Sequence, residues 1–200
     1  MTGEKSMKRL QARLRPFARN QQGSVIVEAV LMLPMLIWAG VGMYAYWDAY
    51  QTINTTQKAG YAVADMISRR LEPVTMADLN GLNDVMNFLL SEGETARMRV
   101  TSVTWSEHDG AFQVQWSKSP GAVLAELTTA DLQAYTSRIP AMADGDTVVL
   151  LETEVAFAPM FDVGIDPLTI KDLIVTRPRF LPQVCYHDCD EHNDTSHDDD

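Results

Sequence analysis

The stretch GSVIVEAVLMLP, residues 23–34, is apolar except for one acid, Glu28. Ahead of it, residues 1–22 carry Lys5, Lys8, Arg9, Arg13, Arg15 and Arg19 against Glu4 alone. Behind it, the apolar run continues to Trp47. As a helix, Ser24–Trp47 measures about 36 Å at about 1.5 Å per residue, and about 20 apolar residues suffice for a bilayer core. The pattern predicts a transmembrane helix over 23–47, longer than the apolar core of a cleaved signal peptide. Gly40 and Gly42 resemble a cleavage site, which keeps a conventional signal peptide as the alternative. No cysteine lies there, so a lipoprotein site is excluded. Tyr44, Tyr46, Trp47 and Tyr50 crowd the far end like an interfacial aromatic belt.

Charge gives the direction. Residues 1–47 hold six bases and two acids, whereas residues 48–200 hold ten bases and twenty-five acids, within a net charge of -11. Basic flanks stay in the cytoplasm, so residues 1–22 are predicted there and the acidic remainder on the other side. A domain so acidic is a poor match for nucleic acid, whose phosphates need clustered bases.

A carboxylate in a spanning helix costs on the order of 2.5–3.5 kcal/mol near the centre and less near the interface. Glu28 is either a shallow, hydrated acid or the partner of a specific cation. Its neighbours favour the second reading. If a peptidase cut after Gly23, Ser24 would carry a new amino group and Glu28 would be the fifth residue. Subunits staggered by about a helical turn could then pair one amine with the next subunit's Glu28, a register device of the kind buried ion pairs serve.

A basic leader, Gly23, four mostly apolar residues, Glu28 and an apolar helix resemble type IV prepilins and pseudopilins. The closer resemblance is to the TadE/TadG-like family of the tight-adherence (Tad, or Flp) pilus system. Its pattern, of the form GxxxVEfAlxlPxLl, reads here from Gly23 and Ser24 through Val27, Glu28, Ala29 and Leu33 to Pro34, Met35 and Leu36. The match is close over about 15 residues and loose over about 45. Ala29 stands where the family often has an aromatic residue. The resemblance implies a bacterial inner-membrane protein with a pilin-like periplasmic domain. Its partners would be other Tad pilus components and pseudopilins, with prepilin peptidase as a processing enzyme. Processing after Gly23 and an uncut, bitopic chain both stay open. Pro34 is either a simple kink or a bend used in packing.

Beyond the span, Tyr50, Ile53, Gln57, Gly60, Ala64, Ile67 and Leu71 recur at steps of three and four. That predicts an amphipathic continuation of the helix to about residue 70. Gly60 and Ala64 permit close approach, to the chain's own core or to a partner helix. After Pro73, the stretch TMAD at 75–78 fits a capping box, followed by Leu79, Leu82, Met86 and Leu89 on one helical face. The period then changes to two. Strands are predicted at 97–105 and 111–117, joined through Asp109-Gly110, with Phe112, Val114 and Trp116 on one face. A short helix is predicted over 129–139, capped by Thr128 and Asp131 and stopped by Pro140. Further strands are predicted at 147–158 and 170–180. In the first of these, Val149, Leu151, Val155 and Phe157 face one way, and Glu152 and Glu154 the other, as a solvated face. The fold class is α+β: a long N-terminal transmembrane helix continuing into an antiparallel-sheet extracytoplasmic domain over 48–182.

Residues 183–200, QVCYHDCDEHNDTSHDDD, are read as an acidic tail too poor in apolar surface to fold alone. Cys185 and Cys189 are the only cysteines. An oxidising periplasm favours a disulfide between them. Free thiols are a second reading, and a zinc site of Cys185, His187, Cys189 and His192 a third, at a spacing unlike a standard finger. No phosphate loop, HExxH or G-x-S-x-G appears. The sequence therefore points to no catalytic residues, no cofactor and no resident metal. The leading expectation is a minor pseudopilin or membrane accessory protein of Tad pilus assembly. A bitopic periplasmic binding or sensor domain unrelated to pili is the alternative, and a membrane-anchored hydrolase a third.

Overall fold

The computed structural model describes residues 22–90 and 93–187. The chain forms two compact units, Met1–Trp47 and Asp48–Asp200. Helix α1, Gln22–Ser68, runs through Pro34 and supplies the described part of the first unit and the first element of the second. Helix α2, Met76–Leu89, follows, then strands β1 (Ala96–Ser106), β2 (Ala111–Lys118), β3 (Thr147–Phe157) and β4 (Leu168–Thr176). The strands form one antiparallel sheet in the order β2-β1-β3-β4. The chain is thus α+β, with a long apolar N-terminal helix and a four-stranded antiparallel sheet.

Local chemistry explains most boundaries. Thr75 caps α2: its hydroxyl accepts from the Asp78 N–H at 3.2 Å, and Asp78 Oδ2 accepts from the Thr75 N–H at 2.9 Å. Leu79, Leu82 and Met86 form its buried stripe. Leu89 is 40% exposed, and Leu90, at the helix end, is buried in its place. Gly110, at φ +59°, makes the turn between β1 and β2. β4 stops at Thr176, two residues before Pro178, which has no N–H to give the ladder.

Three expectations about side-chain direction are corrected. First, the buried stripe of α1 in the outer unit is Thr52, Thr56, Ala59, Gly60, Val63, Ala64, Ile67 and Ser68, whereas Tyr50, Ile53, Gln57 and Leu71 are exposed. The stripe is turned by one position over the segment's first half because the helix lies close on the sheet. A Cβ at Gly60 would stand 2.8 Å from Ile174 Cδ1 of β4. Small side chains permit that approach, and tyrosines on the same face would hold the backbones apart. Second, Phe112, Val114 and Trp116 do not share a face. The register shifts between Ser102↔Trp116 and Val103↔Val114, leaving Gln115 as an extra residue on β2. This bulge sends Trp116 to one sheet face and Phe112 and Val114 to the other.

Third, the face of β3 that bears Glu152 and Glu154 is not simply solvated. Val148 and Leu150 on it are fully buried, with Val103, beneath Leu132 and Ile139. The segment predicted as a helix over 129–139 provides this cover as two 3₁₀ turns, Thr129–Ala134 and Thr136–Arg138. The predicted cap is present, since Asp131 Oδ2 accepts from the Thr128 N–H at 2.8 Å. So short a run, closed by Pro140, has only Leu132, Tyr135 and Ile139 to place, and the tighter turn suffices.

The main core lies on the other face, where Ile67, Val74, Leu79, Met86, Met98, Val100, Val149, Leu151 and Val155 are buried together. Residues 183–187, expected in the acidic tail, belong to this unit. Val184 and Cys185 are buried. Val74 N–H donates to the Cys185 carbonyl at 2.7 Å, and Trp116 Nε1 donates to the Val184 carbonyl at 2.8 Å. Tyr186 lies 5.6 Å from the Trp116 ring. Cys189 and His192 fall outside the described residues, as does the basic leader, 1–21.

Candidate functional site

The motif segment sits at the start of α1. Gly23 and Ser24 are helical, and the first turn carries no acid, so Glu28 is the first charge along the helix. Every residue from Val25 to Gly40 is exposed. Val25, Leu31 and Leu36 are 67%, 70% and 70% exposed. Near the N-terminus, α1 is long and apolar enough to cross a membrane. Glu28 has no hydrogen-bond or ion-pair partner among the described residues. Glu28 and Pro34 are six residues apart, about 9 Å along the axis and about 120° apart around it. They therefore mark two faces of the helix rather than one site.

Gly60 and Ala64, expected to serve packing, serve it within the outer unit. Gly60 meets β4, and Ala64 is 2% exposed in the main core. The partner-helix reading of these two residues is not needed to explain them.

The carboxylates of β3 are the other polar cluster. Arg99 Nε donates to Glu152 Oε2 at 2.7 Å, and the Tyr135 hydroxyl donates to Glu152 Oε1 at 2.7 Å. Arg99 also reaches the Ala125 carbonyl and, at 3.3 Å, the Tyr135 oxygen. Glu154 is held between Arg97 at 2.9 Å and Lys171 at 2.6 Å. Burial, then the hydrogen bond to Glu152, raises the Tyr135 pKa above its ordinary value. These contacts border a cleft that Arg138 and Asp172 also line. Both glutamates are thus committed to cations, and their arrangement explains how the loop after β2 is fastened to the sheet. Sequence reading placed the two acids on one face but missed Arg99 and Tyr135. The signal for Arg99 was its place on the strand beside β3, where the register sets it opposite Glu152.

Comparison of the chain with protein-family models, with curated proteins and with solved structures finds no match.

Proposed function

We propose that this chain is a single-span inner-membrane protein of Tad/Flp pilus assembly, a minor pseudopilin or accessory factor. Its residues 1–22 face the cytoplasm and its pilin-like outer unit the periplasm. It acts by lateral association of the membrane helix and by docking of the outer unit onto other pilus components. What carries the reading is Glu28: a carboxylate without a partner among the described residues, on an exposed apolar helix segment, in the motif that resembles TadE/TadG-like proteins. The described fold gives that charge no work, while a lipid-embedded carboxylate costs on the order of 2.5–3.5 kcal/mol at the centre. A partner outside the chain offsets the cost: the Ser24 amine of a neighbouring subunit if Gly23 is a processing site, or a polar group on another membrane helix if it is not.

The test is crosslinking from a photoreactive residue placed at Val30 in cells that make pili. The parent protein should capture a pilus-system partner. Glu28→Ala should be made, inserted and folded, yet lose the crosslink and fail to support adherence. If Glu28→Ala crosslinks and supports pili like the parent, Glu28 is a shallow, hydrated acid; if the parent protein captures no pilus-system partner, the bitopic binding-protein reading replaces this one. Sequencing the mature amino terminus from membrane extracts separates the two versions of the partner.

A further inference from the structure

The sheet face turned away from α1 gathers positive charge in a unit that is otherwise acidic. Residues 48–200 hold ten bases against twenty-five acids. Cross-strand partners share a face. The pairings Arg97↔Glu154, Arg99↔Glu152 and Glu154↔Lys171 therefore put three cations and two carboxylates together. All three cations reach those carboxylates: Arg97 and Lys171 share Glu154, and Arg99 takes Glu152. One positive charge is left over. Asp172 does not offset it. It stands opposite Thr153, on the face toward α1, and its Oδ1 accepts from the Leu173 N–H at 3.0 Å.

Arg138 adds a second surplus charge. It ends the turn Thr136–Arg138, and its N–H donates to the Tyr135 carbonyl at 2.8 Å. Tyr135 is itself held by Glu152, and Ile139, the next residue, is buried. The backbone under Arg138 is thus fixed to the sheet, while its guanidinium has no hydrogen-bond or ion-pair partner among the described residues. Arg138 and Lys171 border one cleft, together with Arg99, Tyr135 and Leu124. The Lys171 side chain is 69% exposed and bonds Glu154 alone, which leaves donors of its ammonium free. The cleft has a volume of about 360 Å³, at the small end of the range for ligand pockets, roughly 300–1,000 Å³.

We propose that this cleft binds a small dicarboxylate, with one carboxylate on the Arg138 guanidinium and the other on the Lys171 ammonium. Two surplus positive charges match two negative ones. The guanidinium fork fits a planar carboxylate in two parallel hydrogen bonds, and Leu124 offers an apolar contact to the carbons between. Among the described residues no α-helix begins at this cleft, so it lacks the N–H cradle that favours phosphate. The acidic remainder of the unit repels anions, which leaves this face as the place where one can settle. The site lies wholly within the outer unit and does not rest on the membrane-anchored reading.

The test is calorimetric titration of the full chain in detergent with succinate at low ionic strength, with acetate and inorganic phosphate as comparison ligands. Saturable binding of succinate is expected, at least about tenfold tighter than either comparison ligand. Arg138→Gln removes an exposed cation and should weaken succinate binding at least about tenfold, the size expected for a charge-assisted hydrogen bond. Lys171→Met should lower succinate binding toward that of acetate. Arg179→Gln, a base outside the cleft, should bind like the parent. Hydrogen-exchange protection of the β3 amides should be the same in all variants, so that a loss of binding is not a loss of fold. Absence of succinate binding, phosphate bound as tightly as succinate, or unchanged binding in Arg138→Gln each overturns the proposal. An equal loss in Arg179→Gln would mean a diffuse counterion effect and overturns it as well.

Discussion

Within α1, residues 25–40 and residues 52–68 obey opposite rules. The first stretch is apolar and exposed, with Leu31 and Leu36 both at 70%. The second buries Thr52, Thr56 and Ser68 at 2% or less, beside Ala59, Val63 and Ile67, while leaving Tyr61 64% exposed. Hydropathy alone would assign the core to the wrong half. What decides is the neighbour: the second stretch lies on the sheet, where closeness selects small side chains and tolerates hydroxyls. The first has no neighbour among the described residues of its own unit, so its greasy surface is a statement about surroundings rather than about folding.

That contrast makes its own test. Ile67→Ala removes a fully buried side chain and should destabilise the outer unit by about 2–5 kcal/mol. Leu33→Ala, at a site 57% exposed, should leave the outer unit unchanged. Hydrogen-exchange protection of the β3 amides in membrane-extracted full chain reads both. Equal losses would mean that residues 25–40 support the outer fold and that the two halves do not differ.

The second largest effect probes polar contacts on the far face of the sheet. Arg99 and Glu152 are 12% and 14% exposed. Glu152→Gln leaves the guanidinium without its carboxylate, and the expected cost is about 2–3 kcal/mol, since breaking a buried pair is far worse than lacking one. Arg99→Met combined with Glu152→Leu should recover much of it. Denaturant melts of the single and double variants check this, and a double variant as weak as the single one would mean the pair is worth more than its charges cost. A smaller effect of opposite sign is expected on the α1 face. The Thr56 and Thr153 hydroxyls are buried without hydrogen-bond partners. Thr56→Val keeps the shape and removes the unmet group, so it should raise stability by about 1 kcal/mol. A loss on melting would show that the hydroxyl has found a partner.

Much of this architecture was legible because its signals are local. Thr75 with Asp78, Thr128 with Asp131, and Asp109-Gly110 each act within four residues, and the apolar run of α1 declares itself by length. What was not legible depends on partners distant in sequence. The bulge at Gln115 exists in the pairing with β1, not in the alternation of β2, so Trp116 was assigned to the wrong face. Thr52 and Thr56 look like a solvated edge until β4 is placed against Gly60. Residues 183–187 are too polar to fold by themselves, yet Trp116 and Val74 supply donors that fasten the chain there, and Thr147 donates to the Pro182 carbonyl just ahead of them. At the candidate site, the motif around Glu28 was read entirely from sequence. The Arg99–Glu152–Tyr135 cluster needed the strand register.

The smallest effect concerns the clasp at the packed end of α1. Arg70, two residues past the helix, donates to Asp78 Oδ1 at 2.6 Å, and Asp78 also closes the cap of α2. The Thr75 hydroxyl, the Thr75 N–H and then the Arg70 guanidinium all favour the ionised carboxylate, holding its pKa at about 2 against an ordinary 3.8. A carboxyl whose pKa is lower in the folded chain binds its proton more readily when unfolded. Its contribution is therefore present in full above its unfolded pKa and is lost as pH falls through the folded one. Asp78→Asn should cost about 0.5–1 kcal/mol at neutral pH, because both cap and ion pair are partly exposed. The gap between parent and variant should stay constant down to about pH 5 and close between pH 4 and pH 2. Paired urea melts across that range measure it. A gap that persists at pH 2 would assign the loss to the shape of the cap rather than to its charge. The Asp78 clasp would then hold the packed end of α1 by its geometry, beside the Arg179 N–H that donates to the Ser68 carbonyl.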